Sequence, residues 1–334
     1  MRHAGAAAAV LVLLVALTGC DRSSAPVSTR VEMALVPAGD FLMGDCFAEG
    51  ERDELPVHAV YVSAFYMDTR EVTKVLWDEV ARWATAHGYD IKPSDGGGKA
   101  ADHPVWGITW DAAVKWANAR SEREGLTPCY TVGGSTYRAG EQMHPDCNWD
   151  ADGYRLPTEA EWEKAARGGA GVHRFPWVDT DTIQHSRANY CSASFGGEYR
   201  PYDTSPTRGY HPMYATGEYP YTSSRGKATP NTSPVGSFAP NGYGLYDMAG
   251  NVQEWCWDLY CEMMRPDQPT YYESSPRSDP RGTDMACWSY PWRVVRGGSW
   301  GDASSCRVAD REGIAPFERH SDLGFRLARN APAS

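Results

Sequence analysis

Two carboxylates in one short segment have the residue types and spacing of a cation site. Asp247 and Glu254 lie seven positions apart, and Gly250 and Asn251 between them permit a tight turn. Carboxylate and backbone carbonyl oxygens are the ligands that a hard cation such as Ca²⁺ takes in proteins. The segment therefore predicts a calcium site, and the alternative is that both side chains only hydrogen-bond the turn.

Cysteine is the second residue type that could do chemistry. The chain has nine cysteines, which is many for a reduced cytosolic protein. No two of them have CxxC spacing, no two histidines lie four positions apart, and neither HExxH nor a P-loop occurs. The sequence therefore disfavours a thiolate metal cluster, a zinc protease site and a nucleotide site.

The charge and the composition exclude other classes. The 334 residues carry a formal net charge of −11, and an acidic surface repels phosphate backbones, so no nucleic-acid partner is expected. The 13 tryptophans argue against a disordered chain, while 33 glycines and 23 prolines indicate much irregular structure.

The first residues predict a secreted, lipid-anchored protein. Arg2 is followed by an apolar run, Ala4 to Leu17, which is too short to span a bilayer comfortably. The run ends in Leu17-Thr18-Gly19-Cys20, which resembles a bacterial lipobox. We expect residues 1–19 to be a signal peptide, Cys20 to carry the lipid, and residues 20–30 to be a tether. An ordinary signal peptide with a chance cysteine is the alternative.

The remaining elements predict one α+β domain over residues 31–329. Capping threonines open three predicted helices, which run from Thr73 to about His87, from Thr109 to about Glu124, and over Glu159–Arg167. Alternation predicts a strand over Val57 to Met67. Strands are also predicted over Met33 to Met43 with a break at Pro37–Gly39, over Arg293 to Ser299, and over Leu323 to Leu327.

Four long segments carry a family resemblance. They are Val36–Phe41 with Met43-Gly44, Tyr154–Glu163, Asn241–Trp255, and Arg296–Trp300 followed by Gly324–Arg326. Their order and spacing resemble the sulfatase-modifying-factor family, whose namesake is the formylglycine-generating enzyme. The resemblance covers nearly all of residues 31–329 and implies a coil-rich variant of the C-type-lectin-like fold with few helices.

The resemblance also implies calcium ligands. In the family, the third segment supplies one site, whose ligands here would be the Asp247 and Glu254 side chains and the carbonyls of Gly250 and Val252. A second family site would use Asn189, but Lys227 stands near the place of its partner carboxylate.

Copper is not expected at the family's catalytic position. The namesake enzyme oxidises a sulfatase cysteine with O₂, using two cysteines that bind Cu(I) three and eight residues after the Arg-Gly-Gly-Ser serine. Here Asp302 and Arg307 occupy those positions after Ser299, and the nearby thiol is Cys306. One thiol and one carboxylate suit Cu(I) poorly, because soft thiolates select that ion.

The other cysteines are expected to pair in an oxidising compartment. In the implied fold Cys256 lies near the strand after Arg-Gly-Gly-Ser, which suggests a Cys256–Cys306 bridge. A Cys129–Cys147 bridge would close a loop. The remaining pairs would be Cys261–Cys287 and Cys46–Cys191, but eight cysteines allow many pairings and the connectivity stays open.

Two functions follow from these residues. The first is a cell-envelope binding or scaffold module for a protein or glycan partner, which lacks the copper dithiolate and touches the membrane only through its lipid. The alternative is an oxidase of protein cysteine that uses Cys306. Tryptophans could line a partner cleft or fill the core: Trp162, Trp177, Trp255, Trp257 and Trp300. Arg296 and Arg326 are expected to be buried partners of carboxylates.

Overall fold

A computed structural model describes residues 32–193, 199–216, 230–261, 272, 275–282 and 291–332. The predicted signal peptide, Cys20 and the tether lie outside the described residues, as do Lys227 and Cys287. Within the described ranges, no helix combines the length and the apolar character needed to cross a bilayer.

The three predicted helices are confirmed almost to the residue. They are α1 (Lys74–Ala86), α2 (Trp110–Arg123) and α3 (Glu159–Ala166). Each begins after a threonine whose hydroxyl accepts a backbone N–H of the first turn, and Thr158 completes a capping box with Glu161. Helices α1 and α2 pack through stacked Trp77 and Trp116 rings, whose centroids are 5.9 Å apart.

The strands are short. They are β1 (Met33–Val36), β2 (Gly39–Met43), β3 (His58–Val62), β4 (Phe65–Asp68), β5 (Tyr130–Val132), β6 (Ser135–Thr136), β7 (Asp146–Cys147), β8 (Cys191–Ser192), β9 (Gly209–Tyr210), β10 (Gln253–Leu259), β11 (Arg293–Arg296), β12 (Arg311–Ile314), β13 (Leu323–Gly324) and β14 (Ala328–Asn330).

These strands form several small sheets. The largest described sheet has the order β12-β11-β10-β13, with Glu254 opposite Arg296. A second has the order β1-β4-β14, and β2 pairs with β3. The prediction of one strand over Val57 to Met67 is wrong, because the chain breaks after Val62 and its halves join different sheets.

Buried charged pairs connect these small sheets and the coil. Seven described arginines that are at most 6% exposed each lie within 2.8 Å of a carboxylate: Arg120–Asp68, Arg155–Glu161, Arg167–Glu163, Arg296–Glu163, Arg307–Glu54, Arg311–Glu159 and Arg326–Glu254. The prediction that Arg296 and Arg326 are buried partners of carboxylates is confirmed. A buried charge is tolerated only when it is paired, so these contacts fix which segments lie side by side.

The apolar core has three clusters. The first contains α1, α2, Trp255 and Phe325, and the second contains α3 with Trp162 and Cys256. The third is small and holds Phe175, Tyr190 and Cys306, with half-exposed Trp177 packed against it. The coil-rich α+β fold expected from the sequence is therefore observed in the described residues.

Candidate functional site

Asp302, which the family resemblance places at the first copper position, is a capping carboxylate in the structure. Strand β11 leads into Gly297 and Gly298, and a short 3₁₀ helix follows at Ser304–Cys306. The Asp302 carboxylate accepts the backbone N–H of Ser304 at 3.1 Å and also the Ser304 hydroxyl. Asp302 therefore holds the turn in place, and its oxygens are engaged in local hydrogen bonds.

Cys306 is sealed inside the protein. Its side chain is 0% exposed, and its Sγ donates to the Asp302 carbonyl oxygen at 3.2 Å. Burial raises the pKa of the Cys306 thiol well above its ordinary value, and the nearby Asp302, Asp310 and Asp203 charges raise it further. The thiol is therefore protonated at neutral pH, whereas a nucleophile or a copper ligand must be a thiolate.

The backbone of the Gly297-Gly298 turn lies directly against the 3₁₀ helix that contains Cys306. Gly298 has φ +64°, and a Cβ added there would lie 2.6 Å from the Ser305 carbonyl carbon. The 3₁₀ helix thus packs directly on the Gly-Gly turn. Residues larger than glycine do not fit there, which explains why this turn needs Gly298.

The structure brings a second thiol near Asp302 that the sequence does not place there. Cys191, on β8, is 8% exposed, and its pKa is raised to about 11 by burial and by the charges of Asp302 and Asp203. More than a hundred residues separate Cys191 from Asp302. No spacing pattern in the sequence indicates this proximity.

The expected Cys256–Cys306 and Cys46–Cys191 disulfides are not formed, because the two thiols of each pair lie in different parts of the fold. Cys256 and Cys306 are free thiols because Cys256 packs in the second apolar cluster and Cys306 in the third. Cys46 and Cys191 are also free. Cys46 lies beside Arg167 and Asp45, whereas Cys191 lies beside Asp302.

The Cys129–Cys147 bridge is also not formed. Both thiols are free, although Cys129 is near enough to raise the pKa of Cys147 further after burial has raised it. The register of β5 and β7 pairs Cys147 with Tyr130, so Cys129 is not directly opposite. Cys261 is disulfide-bonded, and its expected partner Cys287 lies outside the described residues.

Glu254 does not fit its implied role as a calcium ligand. Its carboxylate accepts Arg326 Nη2 at 2.7 Å, Arg326 Nε at 2.8 Å and the Trp162 indole N–H at 2.8 Å. Both oxygens therefore already face cationic or N–H donors. Among the described residues, no group of three or more His, Cys, Asp or Glu side chains is arranged to hold a metal ion.

Asp247 and Asn189 each keep an unused oxygen. The Asp247 Oδ2 accepts the Gly236 N–H at 2.5 Å, while its Oδ1 is buried and has no hydrogen-bond partner among the described residues. Asn189 Oδ1 is orphaned in the same way. The backbone carbonyl of Asn189 accepts the Asn251 N–H at 2.8 Å, so the two predicted calcium segments do lie side by side.

A third buried carboxylate belongs to this region. The Glu71 carboxylate accepts hydrogen bonds from Asn251 Nδ2, at 3.1 Å to one oxygen and 3.2 Å to the other. Burial, with the nearby Asp247 charge, raises the pKa of Glu71 well above its ordinary value. Burial also raises the pKa of Asp247 to about 6. No pattern in the sequence indicates Glu71 as a site residue; it stands two positions before Thr73, the cap of α1.

An open cavity of about 300 Å³ lies between segments 176–187 and 239–249. Its lining includes Trp177, Arg187, Asp247 and Met248. Of the five tryptophans considered as cleft or core residues, Trp177 lines this cavity and Trp162, Trp255 and Trp300 are buried. The fifth, Trp257, is partly buried and packs against the first apolar cluster.

The coil-rich α+β fold is that of a formylglycine-generating-enzyme-like domain. The family profile described as "Sulfatase-modifying factor enzyme 1-like domain" matches residues 21–331. The chain therefore belongs to the sulfatase-modifying-factor family.

Three relatives illustrate the range of this family. A formylglycine-generating enzyme from Streptomyces coelicolor is 33% identical over 92% of this chain and 91% of its own length. The chaperone protein LppX from Paenibacillus barcinonensis is 28% identical over 96% of this chain and 98% of its own. The solved structure of Treponema denticola variable protein 1 is 28% identical and covers 90% of this chain and 95% of its own, with a TM-score of 0.61.

Proposed function

We propose that this chain is a binding or scaffold module of the bacterial cell envelope rather than a cysteine oxidase. One observation carries the proposal. Where the family enzyme has a copper dithiolate, Asp302 caps a turn and Cys306 is a fully buried, protonated thiol that donates to Asp302. That arrangement offers no pair of thiolates to Cu(I).

A similar protein supports a binding role. The relative from Paenibacillus barcinonensis is named a chaperone protein, and it aligns with this chain along nearly all of both lengths. Folds of this kind host different functions through differences at their sites. We therefore place the activity of this chain in the recognition of a partner protein.

The oxidase assay tests the proposal directly. The mature chain is incubated with Cu(I), O₂ and a cysteine peptide of the sulfatase type, and aldehyde formation is followed by mass spectrometry. We expect no aldehyde, while the Streptomyces coelicolor enzyme under the same conditions provides the positive control. Aldehyde that is formed by the wild type and lost in Cys306→Ser would establish the oxidase instead.

The proposed location depends on Cys20. Lipid on this residue would hold the domain at a membrane surface through the tether of residues 20–30. We expect the full-length chain in the membrane fraction of a bacterial host and Cys20→Ser in the soluble fraction, with Cys46→Ser as the matched control that stays with the membrane. Equal distribution of all three proteins would rule out the anchor.

We propose calcium binding only at the oxygens of Asp247 and Asn189, without Glu254. Asp247 and Asn189 retain free oxygens, whereas Glu254 is committed to Arg326, so the implied ligand set is incomplete. The proposed binding role does not depend on the ion. Isothermal titration of Ca²⁺ into the chelator-treated chain measures whether the ion binds, and absence of binding heat would contradict the calcium proposal.

A further inference from the structure

The cavity beside Asp247 has the size and lining of a pocket that holds one side chain of another molecule. Its buried lining residues Leu245, Met248 and Ala249 form an apolar floor, and exposed Ser186 and Pro240 stand at its mouth. Its volume of about 300 Å³ is at the small end of ligand pockets and suits a single long side chain.

One acceptor in this lining lacks a donor. Asp247 is 8% exposed, and its Oδ1 has no hydrogen-bond partner among the described residues. Leaving a buried charged acceptor unpaired is costly, so native proteins normally satisfy such a group from another source. A donor that entered the cavity would satisfy Oδ1 without displacing the Gly236 N–H from Oδ2.

The charges around the cavity favour a cation. Near Asp247, the Arg326 guanidinium is already paired with Glu254 at 2.7 Å, and Arg70 is a second cation close by. The buried carboxylates of Glu71 and Asp247 repel each other when both are ionised, and an entering cation would relieve this repulsion. Arg187, at the wall, does not oppose an entering cation, because both of its terminal nitrogens bond to Asp179 at 2.9 and 2.5 Å.

Trp177, the aromatic residue of the cavity lining, is fixed by contacts with its ring and at its N–H. The Trp177 indole N–H donates to the Thr182 carbonyl at 3.1 Å, and its ring stacks on Phe175 at a centroid distance of 5.1 Å. Arg187 covers the ring with its guanidinium carbon 5.3 Å from the centroid. The Trp177 side chain is therefore already held in place before a ligand binds, which lowers the entropic cost of binding.

We propose that this cavity receives a lysine or arginine side chain of a partner protein, with the alkyl stem against Leu245 and Met248 and the cationic end at Asp247. The inference rests on the proposed binding function and names the chemistry that the site recognises. Long basic side chains bury their stems on apolar surface in this way, and charge-assisted hydrogen bonds to a carboxylate are the strong ones.

The test titrates small probes into the chelator-treated chain by calorimetry. The probes are N-acetyl-lysine methylamide, its arginine analogue, and N-acetyl-norleucine methylamide, which has a similar stem but no charge. We expect binding of the two basic probes and at least tenfold weaker binding of norleucine.

Asp247→Asn is the decisive variant. Asparagine tolerates the left-handed backbone at this position, where φ is +54°, and keeps an acceptor for the Gly236 N–H, so the variant is expected to fold. It should lose at least tenfold in lysine affinity, whereas Glu79→Gln, which removes a carboxylate of α1 outside the cavity lining, should not. Equal affinity of Asp247→Asn and wild type, or equal binding of norleucine and lysine, would overturn the proposal.

The two levels of inference fail separately. If no basic probe binds while the oxidase assay gives no aldehyde, the pocket assignment is wrong and the binding function stands. If the oxidase assay gives aldehyde, the proposed function is wrong whatever the probes show.

Discussion

Single residues decide whether this domain can do thiol chemistry. The accessibility of a thiol and its ionisation both control its reactivity, and Cys306 fails on both. Asp302 contributes to the second effect, because its charge raises the pKa of the Cys306 thiol. A carboxylate at position 302 therefore offers no thiol of its own and also disfavours the ionisation of Cys306.

Thiol labelling of the native protein should show this difference. Cys46 is partly exposed and Cys306 is fully buried, so we expect iodoacetamide to modify Cys46 at least tenfold faster than Cys306. Peptide mass spectrometry after timed quenching measures both rates. In denaturant the two rates should converge, which is the control, and fast labelling of Cys306 in the folded chain would contradict the buried assignment.

Glu254→Gln separates a structural role from a calcium-ligand role. Removing the charge leaves Arg326 buried without its partner, which is expected to cost about 3 to 5 kcal/mol of unfolding free energy. The loss should be the same with Ca²⁺ and with chelator, as measured by urea denaturation. Glu79→Gln breaks a more exposed pair with Arg123 and should cost less than about 1 kcal/mol.

A loss in Glu254→Gln that appears only when Ca²⁺ is present would contradict the ion-pair assignment. It would show instead that this carboxylate leaves Arg326 to bind the ion.

At the scale of elements, one short helix connects much of the domain. Helix α3 has eight residues, yet Glu159 pairs with Arg311 and Glu163 pairs with Arg296, both across long sequence separations. An isolated helix of this length is not stable in water. Its N-terminal cap and its buried ion pairs must therefore hold it.

Thr158→Ala tests the cap of this helix. The Thr158 hydroxyl accepts the Glu161 N–H, and its loss should cost about 1 kcal/mol of unfolding free energy in urea denaturation. Thr158→Ser keeps the acceptor and should retain most of that stability. Equal destabilisation by both substitutions would point to the lost methyl group rather than to the hydrogen bond.

The elements that were predictable from sequence are those that depend on neighbouring residues. The helices follow from Thr73, Thr109 and Thr158, whose caps act within one turn. The break after Val62 was not predictable from alternation alone, because it depends on which sheet each half joins. The positions of Cys191, Cys256 and Glu71 relative to the site depend on long-range packing, which the spacing of residues does not encode.

At the scale of the whole molecule, ion pairs replace extended sheets as the source of specific contacts. Most described strands have two to five residues, so backbone ladders alone define few long-range neighbours. The seven buried arginine–carboxylate pairs of the described residues join coil, strand and helix. Such pairs add little net stability but penalise any arrangement that leaves one charge unpaired.

Two buried groups should give opposite pH dependences of stability. His211 donates its Nε2–H to the His185 carbonyl at 2.8 Å and accepts the Met213 N–H at Nδ1, so its ring is neutral. Burial lowers the pKa of His211, and this stabilisation is present above pH 6.5 and is lost as the pH falls. For Asp247 the folded pKa is raised from 3.8 to about 6, so its contribution is present at low pH and is lost as the pH rises through 6.

Single substitutions should separate the two contributions in chelator-treated protein. Between pH 7 and pH 5, Asp247 should add about 1 kcal/mol as it takes up its proton, so Asp247→Asn should lose stability more steeply than wild type over this interval. His211→Gln can mimic both neutral-ring hydrogen bonds and should lose stability less steeply. Urea denaturation at four pH values measures the slopes, and three parallel profiles would show that neither group is buried in the assigned protonation state.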